Sequence, residues 1–295
     1  MSVGRRAVLA AVAATGLAGC AGRSGAPGAS LATRTTPSDI EPPSRTPRAG
    51  RAAATARAAA PEMTRAAAVA RYGSARPSDW GFDAPGVLTA LPAAQQAIAL
   101  TFDACGGPGG SAYDKDLIGF LRSRKVPATL FINSRWIDAH PAVFRSLAAD
   151  PLFEIANHGT RHRPLSVSGR SAYGIPGTRD AGEVYDEVAG NHGKLTRLLG
   201  RPPRFFRSGT AYYDDVASRI VGALGERPVS FTVNGDGGAT FTPEQVHTAV
   251  AAARPGSVVI GHLNQPEGGT AEGIATAVPQ LLASGHRFIR LSDAL

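Results

Sequence analysis

The 295 residues contain only two cysteines, Cys20 and Cys105, so a network of disulfide bridges is excluded as the basis of the fold. No apolar run is long enough to cross a bilayer as a mature helix. A broad basic field is also missing. The net charge is +8, but residues 1–72 hold ten arginines against three acids, which leaves the rest of the chain near +1. That excludes an extended polyanion-binding face, and no nucleic-acid partner is expected. Aromatic residues are sparse at 6%, and residues 21–75 contain one, Tyr72. The pair His158-x-x-x-His162 lacks the Glu after its first His that a zincin protease requires, which argues against peptide hydrolysis by that route.

The N-terminus has a charged start at Arg5-Arg6, an apolar small-residue run over 7–14, and Leu17-Ala18-Gly19-Cys20. This is the order of a cleaved export signal. The last four residues resemble the lipobox of bacterial lipoproteins, which implies a signal over 1–19, a lipidated Cys20 and attachment to the outer face of the bacterial cell membrane. The alternative is an ordinary signal peptide with a chance cysteine. The paired arginines permit twin-arginine export. Residues 20–75 follow as an Ala, Arg and Pro linker that buries too little apolar surface to offset the entropy of ordering. Within it, 52–60 and 66–70 could form transient helix.

From residue 76 to 295 the pattern is that of a folded domain. Apolar runs predict strands at 98–102, 128–132, 153–156, 204–206, 229–233, 257–261 and 287–290. Helices are expected between them at 113–124, 141–149, 181–199, 212–224, 243–253 and 271–284, the fifth opened by Thr242-Pro243-Glu244-Gln245 as cap, first-turn proline and capping-box partner. Strand alternating with helix predicts a parallel α/β fold with its chemistry in loops at the strand C-terminal ends. Those ends carry Asp103, His158 with His162, Arg207, Asp236 and His262. Each alone is ordinary: acids cap helices, arginines pair, histidines pack. Five together at the same end point to one site. Two imidazoles four residues apart can face a single zinc-like ion.

The order of these motifs resembles the polysaccharide deacetylase family, also called the NodB-homology or carbohydrate esterase 4 family. Thr101-Phe102-Asp103 is similar to its first motif, His158 to His162 to its His-(Ser/Thr)-x-x-His motif, Arg207 to its arginine motif, and Asp236 and His262 to its fourth and fifth. Residues 127–132 and 285–291 resemble its second and last strands. The resemblance implies a distorted seven-stranded (β/α) barrel. It also implies a hydrolase that uses a divalent metal ion, with zinc expected, to remove N-acetyl groups from a cell-envelope polysaccharide such as peptidoglycan, acting as a monomer. In that reading His158 and His162 hold the metal, with Asp103 a further ligand candidate. Asp103 takes the proton of the attacking water, and His262 protonates the departing amine. Arg207 orients Asp103, Asp236 pairs with His262, and a backbone N–H near Thr210 helps hold the oxyanion.

Three departures from the family pattern matter. The second Asp of the first motif, a metal ligand, is Ala104 here; the arginine motif continues as Ser208-Gly209-Thr210 rather than proline and an aromatic; and Gly159 follows the first histidine. The third ligand then comes from Asp103, Cys105, Asp114, Asp116 or water. Cys105 lies on the same side as Asp103 if the backbone stays extended. It is otherwise a small buried turn residue, or a nucleophile acting with His262 as a thiol amidase. A non-catalytic glycan-binding lipoprotein on the same scaffold is the other reading of the lost ligand. Trp80 and Trp136 are candidates to line a sugar groove, residues 174–178 to shape the pocket, and Asn264-Gln265 to reach a substrate.

Overall fold

The computed structural model describes residues 63–295. The signal segment over 1–19, Cys20 and most of the 20–75 linker lie outside the described residues. In chain order the elements are α1 (Arg65–Tyr72), β1 (Trp80–Gly81), β2 (Ala97–Ala104), α2 (Lys115–Arg124), β3 (Ala128–Ile132), α3 (Ser134–Ala139), α4 (Pro141–Ala148), β4 (Phe153–Asn157), α5 (Ala181–Leu199), β5 (Phe205–Phe206), β6 (Tyr213–Asp214), α6 (Asp215–Ala223), β7 (Arg227–Pro228), β8 (Val233–Asn234), α7 (Pro243–Ala251), β9 (Val258–His262), α8 (Thr270–Ala283) and β10 (Arg287–Ile289). Among the described residues no helix is long and apolar enough to cross a membrane.

Seven strands form a parallel sheet in the order β7-β5-β4-β3-β2-β9-β8, with β10 added parallel to the start of β2. The two edge strands, β7 and β8, are consecutive in the chain and only residues 229–232 separate them. Four linking residues reach about 17 Å at most, so the sheet must curl until its edges nearly meet. The link itself shows the curl: Val229 N–H bonds to the Phe206 carbonyl on one edge, and Thr232 N–H to the Val258 carbonyl on the other. Residues 88–91 fill the remaining seam, Leu88 pairing with Val229 and Ala90 with Ser257. The result is the expected distorted seven-stranded (β/α) barrel.

Alternation along the strands sorts the side chains. In β2, Ile98, Leu100, Phe102 and Ala104 pack outward with Leu117, Ile118, Val246 and Val278 of the surrounding helices. Ala99 faces inward with Phe131, Ala156, Phe205 and Val258. Asp103 continues the inward set further along the strand. All eight β2 residues are buried, as expected of a central parallel strand.

Two expectations need correction. The single strand at 229–233 is instead the seam crossing between β7 and β8; its apolar run is buried in part, but its hydrogen bonds divide between two edges. The linker also ends earlier than residue 75. Thr64 accepts the Ala67 N–H as an N-cap, and α1 buries Ala68 and Tyr72, one turn apart, with Tyr72 in a cluster that includes Val184 and Val188 of α5. The predicted helix start at Thr242 is a complete capping box. Residues 134–139, assigned to no element from the sequence, form α3.

Candidate active site

Asp103 lies at the end of β2, and the strand register sets His262 of β9 directly beside it and Phe131 of β3 on its other flank. Asp103 is buried, with one carboxylate oxygen 2.7 Å from Arg207 Nη1. Arg207 is wholly buried. Its Nη2 donates to Thr101 Oγ1 (2.9 Å) and the Ser230 carbonyl (2.8 Å), and its guanidinium lies 4.2 Å from the Phe131 ring centre. Neighbouring strands and the seam therefore fix this cation before any substrate arrives. Burial pushes the Asp103 carboxyl up, but Arg207, His158 and His262 outweigh it and hold the group below the usual carboxylate range.

His158 follows β4. Its Nδ1 lies 2.9 Å from the Arg207 backbone carbonyl. Its Nε2 is turned to Cys105 Sγ at 3.8 Å and Asp103 Oδ2 at 3.6 Å. His162 returns to it, the two rings 4.9 Å apart at 81°. The return requires a left-handed residue at His162, φ 62°, which a non-glycine adopts only when its surroundings impose it. The imposing group is Glu187 of α5. Its buried carboxylate accepts the Arg161 N–H (2.9 and 3.0 Å) and the Arg163 N–H (3.3 Å). Gly159 stands where the family pattern has Ser or Thr because its φ is 76° and a Cβ would collide with that Glu187 carboxylate. Gly209 likewise lies so close to the His162 carbonyl that no side chain fits.

On the other side of Asp103, His262 Nδ1 is 3.0 and 3.1 Å from the two Asp236 oxygens. Asp236 also accepts the His262 N–H (2.7 Å) and the Thr270 hydroxyl (2.9 Å). Burial opposes charge on both members. The pairing outweighs it, so His262 is held well above the ordinary imidazole value and Asp236 below the ordinary carboxylate value.

The residues marked out by the strand ends, Asp103, His158, His162, Arg207, Asp236 and His262, thus converge. Among the described residues, the group with ligand atoms all within 4.8 Å of one another is Cys105, His158 and His162. Asp103 is outside that set: its Oδ1 is engaged by Arg207, while its Oδ2 stays 3.6 Å from His158 Nε2. Of the ligand candidates beside the two histidines, Cys105 is the one that the grouping includes. Asp114 is not in that group; one of its oxygens caps α2 through the Leu117 N–H (2.8 Å). Thiolate plus two imidazoles is a zinc-like donor set with room for a fourth position. The His158 bond to a backbone carbonyl is the second partner that metal-binding histidines use to fix Nε2. Burial opposes ionisation of Cys105, but His162, His158 and His262 hold the thiol well below its ordinary value. Asp103 and Cys105 likewise hold His158 above its ordinary value against burial. Negative charge is concentrated here, and a cation would take the protons' place. The residues present fit a divalent metal.

A cavity of about 640 Å³ opens over this cluster. Trp136 does not line it: the ring is wholly buried and donates to the Ala112 carbonyl. Trp80 packs on Tyr212 instead. The aromatic walls are Tyr173, 77% exposed, and Phe231. Ile175 of the 174–178 insertion lines the cavity, as do Asn264 and Gln265, which pin the Gly109-Gly110 turn. Local patterns in the sequence did not mark Glu187 or Tyr173. The signal that could have found Glu187 is an acid at helical spacing beside the apolar Val184, Val188 and Leu195 of α5.

Residues 91–229 match the family described as polysaccharide deacetylase. The chain is 28% identical over 166 residues to a chitooligosaccharide deacetylase of Rhizobium leguminosarum bv. trifolii, covering 56% of this chain and 70% of that protein. It is 25% identical over 213 residues to a peptidoglycan-N-acetylglucosamine deacetylase of Bacillus cereus, covering 70% and 91%. A carbohydrate esterase 4 family pseudoenzyme from Bacillus anthracis shares the fold, with a TM-score of 0.59 at 18% identity over 72% of this chain and 69% of that one.

Proposed function

We propose that this chain, whose residues 91–229 match the polysaccharide deacetylase family and which is similar to named deacetylases, is a hydrolase of polysaccharide amide bonds that removes N-acetyl groups from a cell-envelope glycan of the peptidoglycan kind with the help of a divalent cation, zinc, held by Cys105, His158 and His162. The observation that carries this is the convergence of that trio with Asp103 and the His262–Asp236 pair beneath one cavity. When bound, the cation supplies Lewis-acid polarisation of the acetamide carbonyl and lowers the pKa of water.

The chain's own residues move the protons. Asp103, ionised through Arg207, takes a proton from the attacking water. His262, kept protonated by Asp236, gives its proton to the sugar nitrogen as the carbon–nitrogen bond breaks, leaving acetate and a free amine. Asn264 lines the cavity and holds the Gly110 carbonyl through Nδ2, while its buried Oδ1 has no hydrogen-bond partner among the described residues. The lipobox-like Leu17-Ala18-Gly19-Cys20 supports a lipid anchor at Cys20 on the outer face of the membrane, within reach of wall glycans.

The test is acetate release from N-acetylated peptidoglycan fragments and from chitooligosaccharides by the zinc-loaded full chain. Release that disappears in Asp103→Asn and His262→Ala while glycan binding persists is the expected result. Binding with no release by the parent protein, zinc- or cobalt-loaded, would overturn it in favour of a glycan-binding role.

A further inference from the structure

Two arginines at the cavity have, among the described residues, no carboxylate to answer them. The one acid among its lining residues, Asp103, is tied to Arg207. Two further guanidiniums, Arg135 and Arg161, also line it, and among the described residues neither pairs with a carboxylate. An arginine with no carboxylate partner beside a substrate cavity is a planar fork open to a carboxylate or phosphate.

Their placement is built into the fold. Arg135 follows β3 and Arg161 follows β4, and these neighbouring loops are joined by Ser134 N–H donating to the Gly159 carbonyl (3.0 Å). Arg135 is steered by Asn133 Oδ1, which accepts its backbone N–H (3.0 Å), and its guanidinium lies against Gly107 at the cavity rim. Arg161 is oriented by the Glu187 carboxylate on its N–H and precedes the metal-site residue His162. Both therefore stand on the β3–β4 side of Asp103, whereas the proton donor His262 stands on the β9 side.

Resting on the deacetylase reading above, we propose that Arg135 and Arg161 form a carboxylate subsite, so that the preferred substrate is a glycan carrying an acidic group on, or adjacent to, the N-acetylated sugar. Two sugar chemistries present such a group: an ether-linked lactyl carboxylate on the same ring, and a uronic acid next along the chain.

The experiment compares kcat/KM of the zinc-loaded full chain on matched oligosaccharides: neutral, lactyl-bearing, lactyl-amidated and uronate-containing. The acidic substrate is expected to be preferred roughly tenfold or more, the scale of a charge-assisted hydrogen bond. The preference should reside in KM, weaken with salt, and collapse in Arg135→Ala and Arg161→Ala, with Arg161→Lys restoring part of it. Whichever of the lactyl and uronate arms carries the effect names the source. Equal use of neutral and acidic glycans, or an acidic preference untouched in both variants, overturns the subsite while leaving deacetylation standing. Equilibrium binding of the same oligosaccharides separates the two ideas in the other direction: arginine-dependent preference for the acidic ligand without acetate release keeps the subsite and removes the deacetylase.

Discussion

His158 Nδ1 lies 2.9 Å from the backbone carbonyl of Arg207, the residue whose side chain holds Asp103. A carbonyl only accepts, so Nδ1 carries a proton in either charge state and Nε2 is the nitrogen left for Cys105, Asp103 or a cation. One residue thus positions both the proposed base and a proposed ligand, through different atoms.

Asp103→Asn tests the base and its buried partner together. The variant should lose roughly 10²- to 10⁴-fold in kcat. It should also lose stability on the order of 3–5 kcal/mol, because Arg207 is left buried without its counter-charge. Adding Arg207→Met should recover part of the melting temperature and none of the activity. A single variant that melts like the parent would show that the ion pair is not what holds this region.

Cys105 is tested without any turnover. The cobalt-loaded protein should show a thiolate-to-metal charge-transfer band in the near ultraviolet, absent in Cys105→Ser. Metal affinity in Cys105→Ala should fall by no less than the roughly 10–100-fold that an outer-shell partner alone costs. Cys105→Asp should retain the metal without the band. A parent protein that binds cobalt with no such band would remove Cys105 from the ligand set and return the third position to Asp103 or water.

The Asp236–His262 pair governs the alkaline limb of the pH–rate profile. A general acid works only while protonated, so activity falls as pH rises through the His262 pKa. Asp236 holds that pKa well above the ordinary value, against burial. Asp236→Asn removes the charge, and the alkaline limb of kcat/KM should move to lower pH with the acidic limb, set by Asp103, in place. An unmoved alkaline limb would assign the acid to another group.

The strands and the motif residues were legible because both obey short-range rules. Parallel buried strands are apolar runs, and Asp103, His158, Arg207, Asp236 and His262 each stand where such a run stops. The crossing at 229–232 was not legible, since a buried extended segment reads alike whether its hydrogen bonds go to one strand or to two edges. Cys105 was legible as one ligand candidate among several, from its extended register with Asp103, but its grouping with the two histidines, Glu187 as the clamp on the Arg161–Arg163 backbone and Tyr173 as a cavity wall depend on side chains meeting across elements. The tryptophans misled for a related reason: an aromatic ring suits a sugar groove and a core equally well, and Trp136 went to the core.

Glu226 links the far side of β4 to the site and should make folding stability depend on pH. Its buried Oε1 accepts from Asn157 Nδ2 (2.9 Å) and bonds His192 Nδ1 (2.8 Å), while Oε2 has no partner among the described residues. Asn157 in turn accepts the Gly159 N–H through its side chain and the Arg207 N–H through its backbone. Burial pushes the Glu226 carboxyl up to about 7, beyond what His192 and Asn157 offset. An acid whose folded pKa exceeds its unfolded value of 4.5 binds more protons in the folded state between those pH values. Folding stability therefore falls as pH rises from 4.5 to about 7, by about 3 kcal/mol for a gap of that size at 1.36 kcal/mol per unit. Glu226→Gln keeps an acceptor for Asn157 and His192 but cannot ionise. Chemical denaturation at pH 5 and pH 8 should show the parent losing more stability than the variant over that interval. An equal loss in both would place the titration elsewhere.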